Sequence, residues 1–171
     1  QTASKIGSNF DCAVHLAANT DVLFSMRSPE ADLQLNIVTL LSTIKAAKIR
    51  DFIFMSSGAV YDGNVGFVSP ASRLNPSFPY AISKLACEHY VSHFKKHDLI
   101  ENYVILRFFG AYGPHEPPRK IFSRLVKSFY FEDDEEFTVV GDGNNFIDAM
   151  YVEDAIEGII SVIKSSGRNV T

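Results

Sequence analysis

The sequence predicts an α/β protein built on a doubly wound, mainly parallel β-sheet. Short apolar runs of strand length alternate with longer segments of helical periodicity along the chain. The predicted strands are apolar throughout instead of at every second residue, as is typical of sheets that are covered on both faces. Small or hydroxyl-bearing residues follow these strands. Because ligands bind beyond the carboxyl ends of the strands in such sheets, we expect a site at that edge.

Length and composition indicate one soluble globular domain. The chain has 171 residues, 46% of them hydrophobic and 21% charged, so we treat 1–171 as a single domain. The net charge of −4 shows that acidic residues outnumber basic ones. No apolar run reaches the length of about 18 residues that a membrane span needs. We therefore expect neither a nucleic-acid nor a membrane partner. Cys12 and Cys87 lack metal-ligand spacing and are interpreted as core residues in a reducing, cytoplasmic compartment.

The first half of the chain predicts two strands around one long helix. The apolar segment 11–16 is the first strand. Ser28 and Pro29 then form a helix start, with serine as the N-cap and proline at the first helical position. Apolar residues recur at helical spacing up to about Lys48, where the helix should end. The second strand is Phe52–Met55, which is followed by Ser56 and Ser57.

The second half predicts further alternation after a long loop over 62–79. A helix from Tyr80 to about His97 precedes a third strand, Tyr103–Leu106. We expect the remaining elements to be a helix over 120–129, a short strand over 137–140, and a helix from about Glu153 to before Gly167.

Tyr80 and Lys84 are the most informative pair of residues. Side chains four residues apart share one face of a helix. An ammonium group beside a phenol stabilises the phenolate, so we expect Lys84 to lower the pKa of Tyr80. A nearby serine hydroxyl would complete a device that interconverts an alcohol and a ketone. The alternative is a surface helix with a half-buried tyrosine and a solvated lysine, but the position shortly after Ser57 favours the functional interpretation.

Six motifs in order carry a family resemblance that covers about Asp11 to Asp154. The sequence resembles the extended short-chain dehydrogenase/reductase family, the NAD-dependent epimerases and dehydratases of nucleotide sugars. The motifs are residues 11–18, Asn36 with Leu40-Leu41, Ser56-Ser57-Gly-Ala-Val-Tyr61, Pro79-Tyr80-Ala-Ile-Ser-Lys84, residues 106–114, and Gly141-Asp-Gly through Asp154. The resemblance implies a Rossmann-like fold. The family's glycine-rich first turn is not found in the sequence, so we expect only the middle portion, without the N-terminal βαβ cofactor half and the C-terminal substrate segment.

The resemblance also implies residue roles and a chemistry. Ser57, Tyr80 and Lys84 would be catalytic, with Tyr80 as the acid/base. The cofactor would be NAD or NADP, held by Tyr80 and Lys84 together with Leu16, Ala17, Ala18, Asn36, Ser56 and Phe109. Substrate contacts would come from Ser57, Gly110, Arg119 and Arg124, within a substrate region over 108–150. The family's chemistry begins with hydride transfer from a sugar carbon, which gives a ketone intermediate.

Three departures from the family pattern narrow this expectation. The two positions after Ser57 are Gly58 and Ala59, where the dehydratases carry an acid that eliminates water. Gly110 replaces the asparagine of the Arg-x-x-Asn motif, and Ile147 replaces an arginine that usually binds the substrate's diphosphate. We therefore expect an NAD(P)-dependent enzyme, an epimerase or reductase acting on a nucleotide-linked sugar. The alternatives are a catalytically silent relative that binds a nucleotide or a protein partner, and a nucleotide-sugar decarboxylase or dehydratase.

Several of these residues also have a purely structural interpretation. Ser57 could cap a turn, and Asn36 could bond a neighbouring loop. His15 on a buried strand is expected to be a satisfied core histidine, and no metal site is expected at His89, His93 and His97. Members of the family often pair the helix that carries the tyrosine with the preceding long helix. We therefore expect a homodimer through the 29–48 and 80–97 helices.

Overall fold

The computed structural model describes residues 9–139, 141–144 and 146–165. These form two compact units, which are described separately. The first contains the described residues up to Phe108 together with 162–165, and the second comprises residues 109–161.

The first unit is built on a three-stranded sheet in the order β1-β2-β3. Its strands are β1 (Asn9–His15), β2 (Lys48–Ser57) and β3 (Ile100–Phe108). Both pairings are parallel, with His15 opposite Phe54 and Ser57 opposite Phe108. This arrangement confirms the predicted parallel α/β architecture. β2 and β3 are longer than their predicted apolar centres, because backbone pairing extends into the flanking polar residues. β1 begins two residues before the predicted segment 11–16 and ends one residue before its predicted end, at His15.

The connection from β1 to β2 contains more structure than the single predicted helix. An unpredicted helix, α1 (Val22–Arg27), begins at Asp21, whose side chain accepts a hydrogen bond from the Phe24 N–H at 2.9 Å. Its six residues are too few to show a helical apolar period in the sequence. Ser28 and Pro29 occupy the predicted N-cap and first helical positions, but the Ser28 side chain makes no capping hydrogen bond.

The predicted long helix is interrupted by one wide turn and ends earlier than expected. It consists of α2 (Pro29–Leu33), a π-helical turn (Gln34–Val38) and α3 (Thr39–Ala46). Ala47 is extended and Lys48 already belongs to β2, so the predicted end at about Lys48 lies two residues too far. π-Helical turns are rare and occur frequently at functional sites.

The connection from β2 to β3 carries the predicted helix. A short 3₁₀ helix (Gly58–Tyr61) follows β2, and α4 (Pro79–Lys96) follows the long loop, as predicted. The core lies between α3, α4 and the sheet. Its buried members are Leu40, Ile44, Ile49, Phe52, Phe54, Cys87, Val91, Phe94, Ile100 and Ile105. Cys87 is buried as predicted, whereas Cys12 is only half-buried, and both cysteines are free thiols.

The second unit contains a two-stranded parallel sheet of β4 (Ala111–Tyr112) and β5 (Met150–Tyr151). Its helical segments are α5 (Ile121–Val126), a π-helical turn (Lys127–Phe131) and the start of α6 (Val152–Ser165). The predicted strand over 137–140 is wrong at 137–139, which have no regular structure, while Val140 lies outside the described residues. None of the helices described in either unit combines the length and apolarity that a bilayer crossing requires.

Candidate functional site

The carboxyl ends of β1 and β2 lie at one edge of the first unit's sheet, because the two strands are parallel and in register. Leu16, Ala17 and Ala18 follow β1 at this edge. Leu16 is 60% exposed and Ala17 is also exposed, so the backbone here is open to an approaching ligand. The predicted cofactor segment thus lies beside the strand that ends in the predicted catalytic serine.

The side chains of Ser57 and Tyr80 meet at this edge. Ser57 is the last residue of β2, and its Oγ accepts the Ala59 N–H at 3.1 Å, so the predicted turn-cap role is real. The Ser57 side chain also lies close enough to the Tyr80 phenol to lower the pKa of the phenol by hydrogen-bonding to it. Since the Ala59 N–H already occupies the serine oxygen as a donor, the serine O–H is available to donate to the phenol oxygen.

The pKa of Tyr80 is nevertheless raised above its ordinary value, which contradicts the expectation from the sequence. Burial is the largest cause, and the negative charge of Asp32 adds to it, against the smaller lowering effect of Ser57. Lys84 does not lower the pKa because its ammonium group points elsewhere. Its Nζ donates to the Met55 carbonyl oxygen at 2.8 Å and lies 5.1 Å from the centre of the Phe54 ring.

Lys84 is 4% exposed, so the alternative of a solvated lysine is wrong. The pKa of Lys84 is lowered, chiefly by burial, although the neighbouring Cys87, Asp32 and Glu88 act in the opposite direction. The ammonium group contacts the backbone of β2 at Met55, two residues before Ser57. It is thus held at the same sheet edge as the serine and the tyrosine.

Asn36 is 2% exposed and is committed to hydrogen bonds within the protein. Its Oδ1 accepts the Asn19 N–H at 2.8 Å, which is the loop contact that the sequence left as an alternative. Its Nδ2 donates to the Asp32 carboxylate at 3.0 Å and to Ser83 Oγ at 2.8 Å. The π-helical turn that contains Asn36 places this amide between the β1 loop and α4.

Ser56 belongs to a second buried network that the sequence does not predict. Its Oγ donates to Glu88 at 2.5 Å, and the Glu88 carboxylate also accepts from Arg107 Nη2 at 2.7 Å. Arg107 Nη1 donates to the Tyr61 hydroxyl at 2.8 Å and to the Pro70 carbonyl at 3.1 Å. The network joins β2, β3, α4 and the long loop directly beneath Ser57. The one local sequence signal for this network is the position of Glu88, four residues after Lys84 on the same helix.

His15 is buried beside the site with one unsatisfied nitrogen. It hydrogen-bonds the backbone at Ala17, and its ring lies 5.9 Å from the Phe52 ring and 6.0 Å from the Phe54 ring. Its Nε2 has no hydrogen-bond partner, so the prediction of a satisfied core histidine is only half right. Burial, with a smaller effect of the Lys84 charge, lowers its pKa to about 4. The imidazole is therefore neutral at pH 7.

The remaining predicted site residues lie in the second unit. Phe109 is 48% exposed, and the Gly110 carbonyl accepts the Met150 N–H at 3.2 Å between β4 and β5. Arg119 and Arg124 are exposed, and the Arg124 guanidinium lies 5.0 Å from the centre of the Phe137 ring. An apolar cleft of about 520 Å³ in this unit is lined by Tyr112, Gly113, Pro114, Phe122, Val126 and Phe131, among others.

Two other sequence features show no ligand-binding arrangement. Gly141-Asp-Gly forms a turn in which Asp142 accepts the Asn144 N–H at 3.0 Å and both glycines have positive φ. The exposed His93 and His97 rings lie 4.3 Å apart. In the part of the chain that the structure describes, no group of three histidine, cysteine, aspartate or glutamate residues could hold a metal ion.

The sequence of this chain is similar to that of a known protein family and of several proteins. A family model described as the NAD dependent epimerase/dehydratase family matches residues 2–170. The uncharacterized UDP-glucose epimerase YtcB of Bacillus subtilis (strain 168) is 36% identical over 124 residues, which are 72% of this chain and 38% of that protein. The dTDP-D-glucose 4,6-dehydratase of Dictyostelium discoideum is 29% identical over 170 residues, covering 90% of this chain and 38% of that protein.

A solved structure agrees with the fold. The crystal structure of UDP-glucuronic acid 4-epimerase from Bacillus cereus, in complex with UDP-glucuronic acid and NAD, matches with a TM-score of 0.84 and 32% identity, covering 94% of this chain and 52% of that one. The chain thus spans between about two fifths and one half of the length of these relatives. Because the family model matches almost its whole length, this chain belongs to the NAD-dependent epimerase/dehydratase family.

Proposed function

We propose that the protein is an NAD-dependent epimerase of a nucleotide-linked sugar, with Ser57, Tyr80 and Lys84 as its catalytic residues. The observation that carries this proposal is the approach of the Tyr80 phenol to Ser57, the last residue of β2, at the ligand edge of a parallel sheet. The buried Lys84 ammonium lies one helical turn further along α4. Similarity to the Bacillus cereus epimerase, which was solved with NAD and a UDP-sugar, supports the cofactor and the substrate class.

The residues at this edge fit a dinucleotide. The open backbone at Leu16, Ala17 and Ala18 can approach a ring, and the Lys84 ammonium can donate to ribose hydroxyls. When bound, NAD would accept a hydride from the sugar carbon and return it. Ser56 and Asn36 are committed to Glu88, Ser83 and Asp32, so we propose that they support the site by holding its walls.

Tyr80 then moves the proton that accompanies each hydride transfer. With its pKa above the ordinary value, the phenol holds its proton at neutral pH and is poised to give it to the oxygen of a ketone. Having given up that proton, the phenolate can take the proton of a sugar hydroxyl in the opposite direction. The Ser57 hydroxyl, which bonds the phenol oxygen, would hold the sugar oxygen between the two side chains.

Gly58 and Ala59 favour epimerisation over dehydration. They begin the 3₁₀ helix directly after Ser57, and neither can donate or accept a proton through its side chain. Elimination of water needs a further acid or base beside the reacting carbon. The family includes dehydratases such as the one from Dictyostelium discoideum, so dehydration is the outcome that the assay must distinguish.

The second unit would contribute the substrate's nucleotide site. We propose that residues 108–150, with Phe109, Gly110, Arg119 and Arg124, form this region, and the exposed guanidinium groups and the apolar cleft support it. Gly110 and the 56% exposed Ile147 lack the groups that usually hold a diphosphate. These two positions favour a catalytically silent relative as the second candidate.

The test uses the full-length protein, NAD and a panel of UDP- and dTDP-sugars. NMR spectroscopy should detect an epimer in the wild type, and mass spectrometry should show no loss of water. Tyr80→Phe should abolish turnover and leave the Kd for NAD within about twofold, since the ring is retained. A product that has lost water would refute epimerisation, unchanged turnover in Tyr80→Phe would remove the acid/base role, and tight nucleotide binding without turnover would favour the silent relative.

We also propose a cytoplasmic homodimer. The two free thiols, which suit a reducing compartment, support the cytoplasm. Dimerisation is supported by large apolar side chains that are between 37% and 51% exposed on the 29–48 and 80–97 segments, namely Leu33, Leu35, Val38, Ile82 and Tyr90. Light scattering on the full-length protein should show a dimer that the Leu35→Glu/Ile82→Glu double variant converts to a monomer. Val65→Glu, at a 98% exposed loop position, is the control that should leave the dimer intact.

A further inference from the structure

We propose that Asp32 is a positioning residue that locks the loop after β1 to the Tyr80–Lys84 turn of α4. The inference rests on the proposed function, because it assigns Asp32 a part in orienting that site. Asp32 does not touch the predicted reacting groups, and none of the sequence motifs indicates it.

The Asp32 carboxylate is almost completely buried and is held by neutral donors. It is 1% exposed. Its Oδ1 accepts Asn19 Nδ2 at 2.7 Å and Asn36 Nδ2 at 3.0 Å, and its Oδ2 accepts the Ser83 hydroxyl at 2.7 Å. Burying a carboxylate among amides and a hydroxyl is costly compared with burying an apolar residue of similar size. Stability alone is therefore a poor reason for a carboxylate at this position.

Each donor belongs to a segment that the site needs in a fixed place. Asn19 follows the open segment 16–18 by one residue, and its own N–H is held by Asn36 at 2.8 Å. Ser83 lies between Tyr80 and Lys84 on α4, and its Oγ also lies 3.0 Å from the Tyr80 carbonyl oxygen. One carboxylate thus connects the loop expected to contact the cofactor with the turn that carries the acid/base. Displacement of reacting groups by about 1 Å can cost about 100-fold in rate.

The charge of Asp32 acts on the same two side chains. It raises the pKa of both Tyr80 and Lys84, which favours the neutral phenol and the charged ammonium. Other groups also face this region from the neighbouring elements. They are Ser57 at the end of β2, His15 at the end of β1, Cys87 and Glu88 on α4, and Arg107 of β3, which is paired with Glu88.

Asp32→Asn tests the charge and the geometry together. An asparagine keeps the shape, but its amide nitrogen cannot accept, so one of the three donors must either turn to another acceptor or lose its hydrogen bond. In the full-length protein we expect kcat to fall about 10- to 100-fold with KM for the sugar within about threefold. The Tyr80 phenol should ionise at lower pH, measured as tyrosinate absorbance relative to the matching Tyr80→Phe protein, over the pH range where circular dichroism shows a folded chain.

Two further variants separate the contributions. Ser83→Ala removes one hydrogen bond and keeps the carboxylate, so kcat should fall while the Tyr80 titration stays at the wild-type position. Glu30→Gln removes an exposed carboxylate from the same helix and should behave as the wild type in both measurements. If Asp32→Asn fails to fold, Ser83→Ala tests the positioning role in its place. A lower kcat of Ser83→Ala then supports the role, and a wild-type kcat overturns it.

A folded Asp32→Asn protein with wild-type kcat overturns the positioning role, whether or not the Tyr80 titration moves. A wild type that turns over no nucleotide sugar removes the proposed function instead. The Tyr80 titration then decides this inference by itself, and an unchanged titration in Asp32→Asn overturns it.

Discussion

Replacing Glu88 with glutamine tests whether the buried ion pair beneath the site stabilises the fold. Glu88 is 4% exposed, and its carboxylate accepts hydrogen bonds from Arg107 and from Ser56. The Arg107 side chain is only 11% exposed. Glu88 and the Tyr61 hydroxyl raise the pKa of Arg107 further, so the guanidinium keeps its charge at every accessible pH.

The expected magnitude follows from what glutamine leaves behind. The variant keeps the volume of Glu88 but leaves a buried positive charge without its counter-charge. Removing one partner of a buried pair costs about 3–5 kcal/mol. Arg107 retains its bonds to the Tyr61 hydroxyl at 2.8 Å and the Pro70 carbonyl at 3.1 Å, so we expect the lower end of that range, about 3 kcal/mol.

Urea unfolding of the full-length protein, followed by circular dichroism, measures the loss in the free energy of unfolding. Asp11→Asn is the matched control, because it removes the carboxylate of the exposed Arg50–Asp11 pair, whose side chains are 49% and 87% exposed. Solvent screens such a pair, and we expect no measurable change. Equal unfolding curves for the two variants would refute the reasoning that burial determines the value of the ion pair.

Three further predictions follow from single residues. The depressed pKa of His15, about 4, means that the unfolded chain binds a proton that the folded chain does not. The free energy of unfolding should therefore fall by up to about 3 kcal/mol as pH drops from about 6.5 to about 4, and His15→Gln should flatten this part of the curve; an unaltered slope would contradict the assignment. Gly113 has φ of 140°, and a Cβ there would lie 2.7 Å from Val152 Cγ1, so Gly113→Ala should lower the thermal midpoint. Gly110→Ala is its control, since a Cβ at that position meets its nearest atom at an ordinary 3.6 Å, and equal midpoints would be evidence against strain at Gly113. Cys87 is 1% exposed with its pKa raised to about 12, so a thiol reagent should modify it only in urea, and fast labelling of the native protein would show that the helix opens.

The elements that the sequence predicts well are those whose signals are local. The apolar run Phe52–Met55 and the Ser28-Pro29 helix start each contain their own evidence within a few residues, and both lie where expected. The α1 helix is too short to display a period, and the expected strand at 137–139 shows that an apolar, β-branched run alone does not guarantee pairing. A strand forms only where its backbone pairs with a neighbouring strand, and that pairing depends on how the whole chain folds.

The same division applies to the candidate site. By itself the sequence determined the fold class, the order of its strands and helices, and the residue types at the expected site, with Ser57 at a strand end and Tyr80 and Lys84 one turn apart. Only the tertiary structure decided the protonation of Tyr80, because burial and Asp32 raise its pKa, while the Lys84 ammonium that was expected to lower it donates to the Met55 carbonyl oxygen instead. It also revealed Asp32 and Ser83 as partners across 51 residues of sequence. Hydrogen bonds and desolvation depend on which groups meet in space, and spacing along the chain predicts those meetings only within a turn or two of helix.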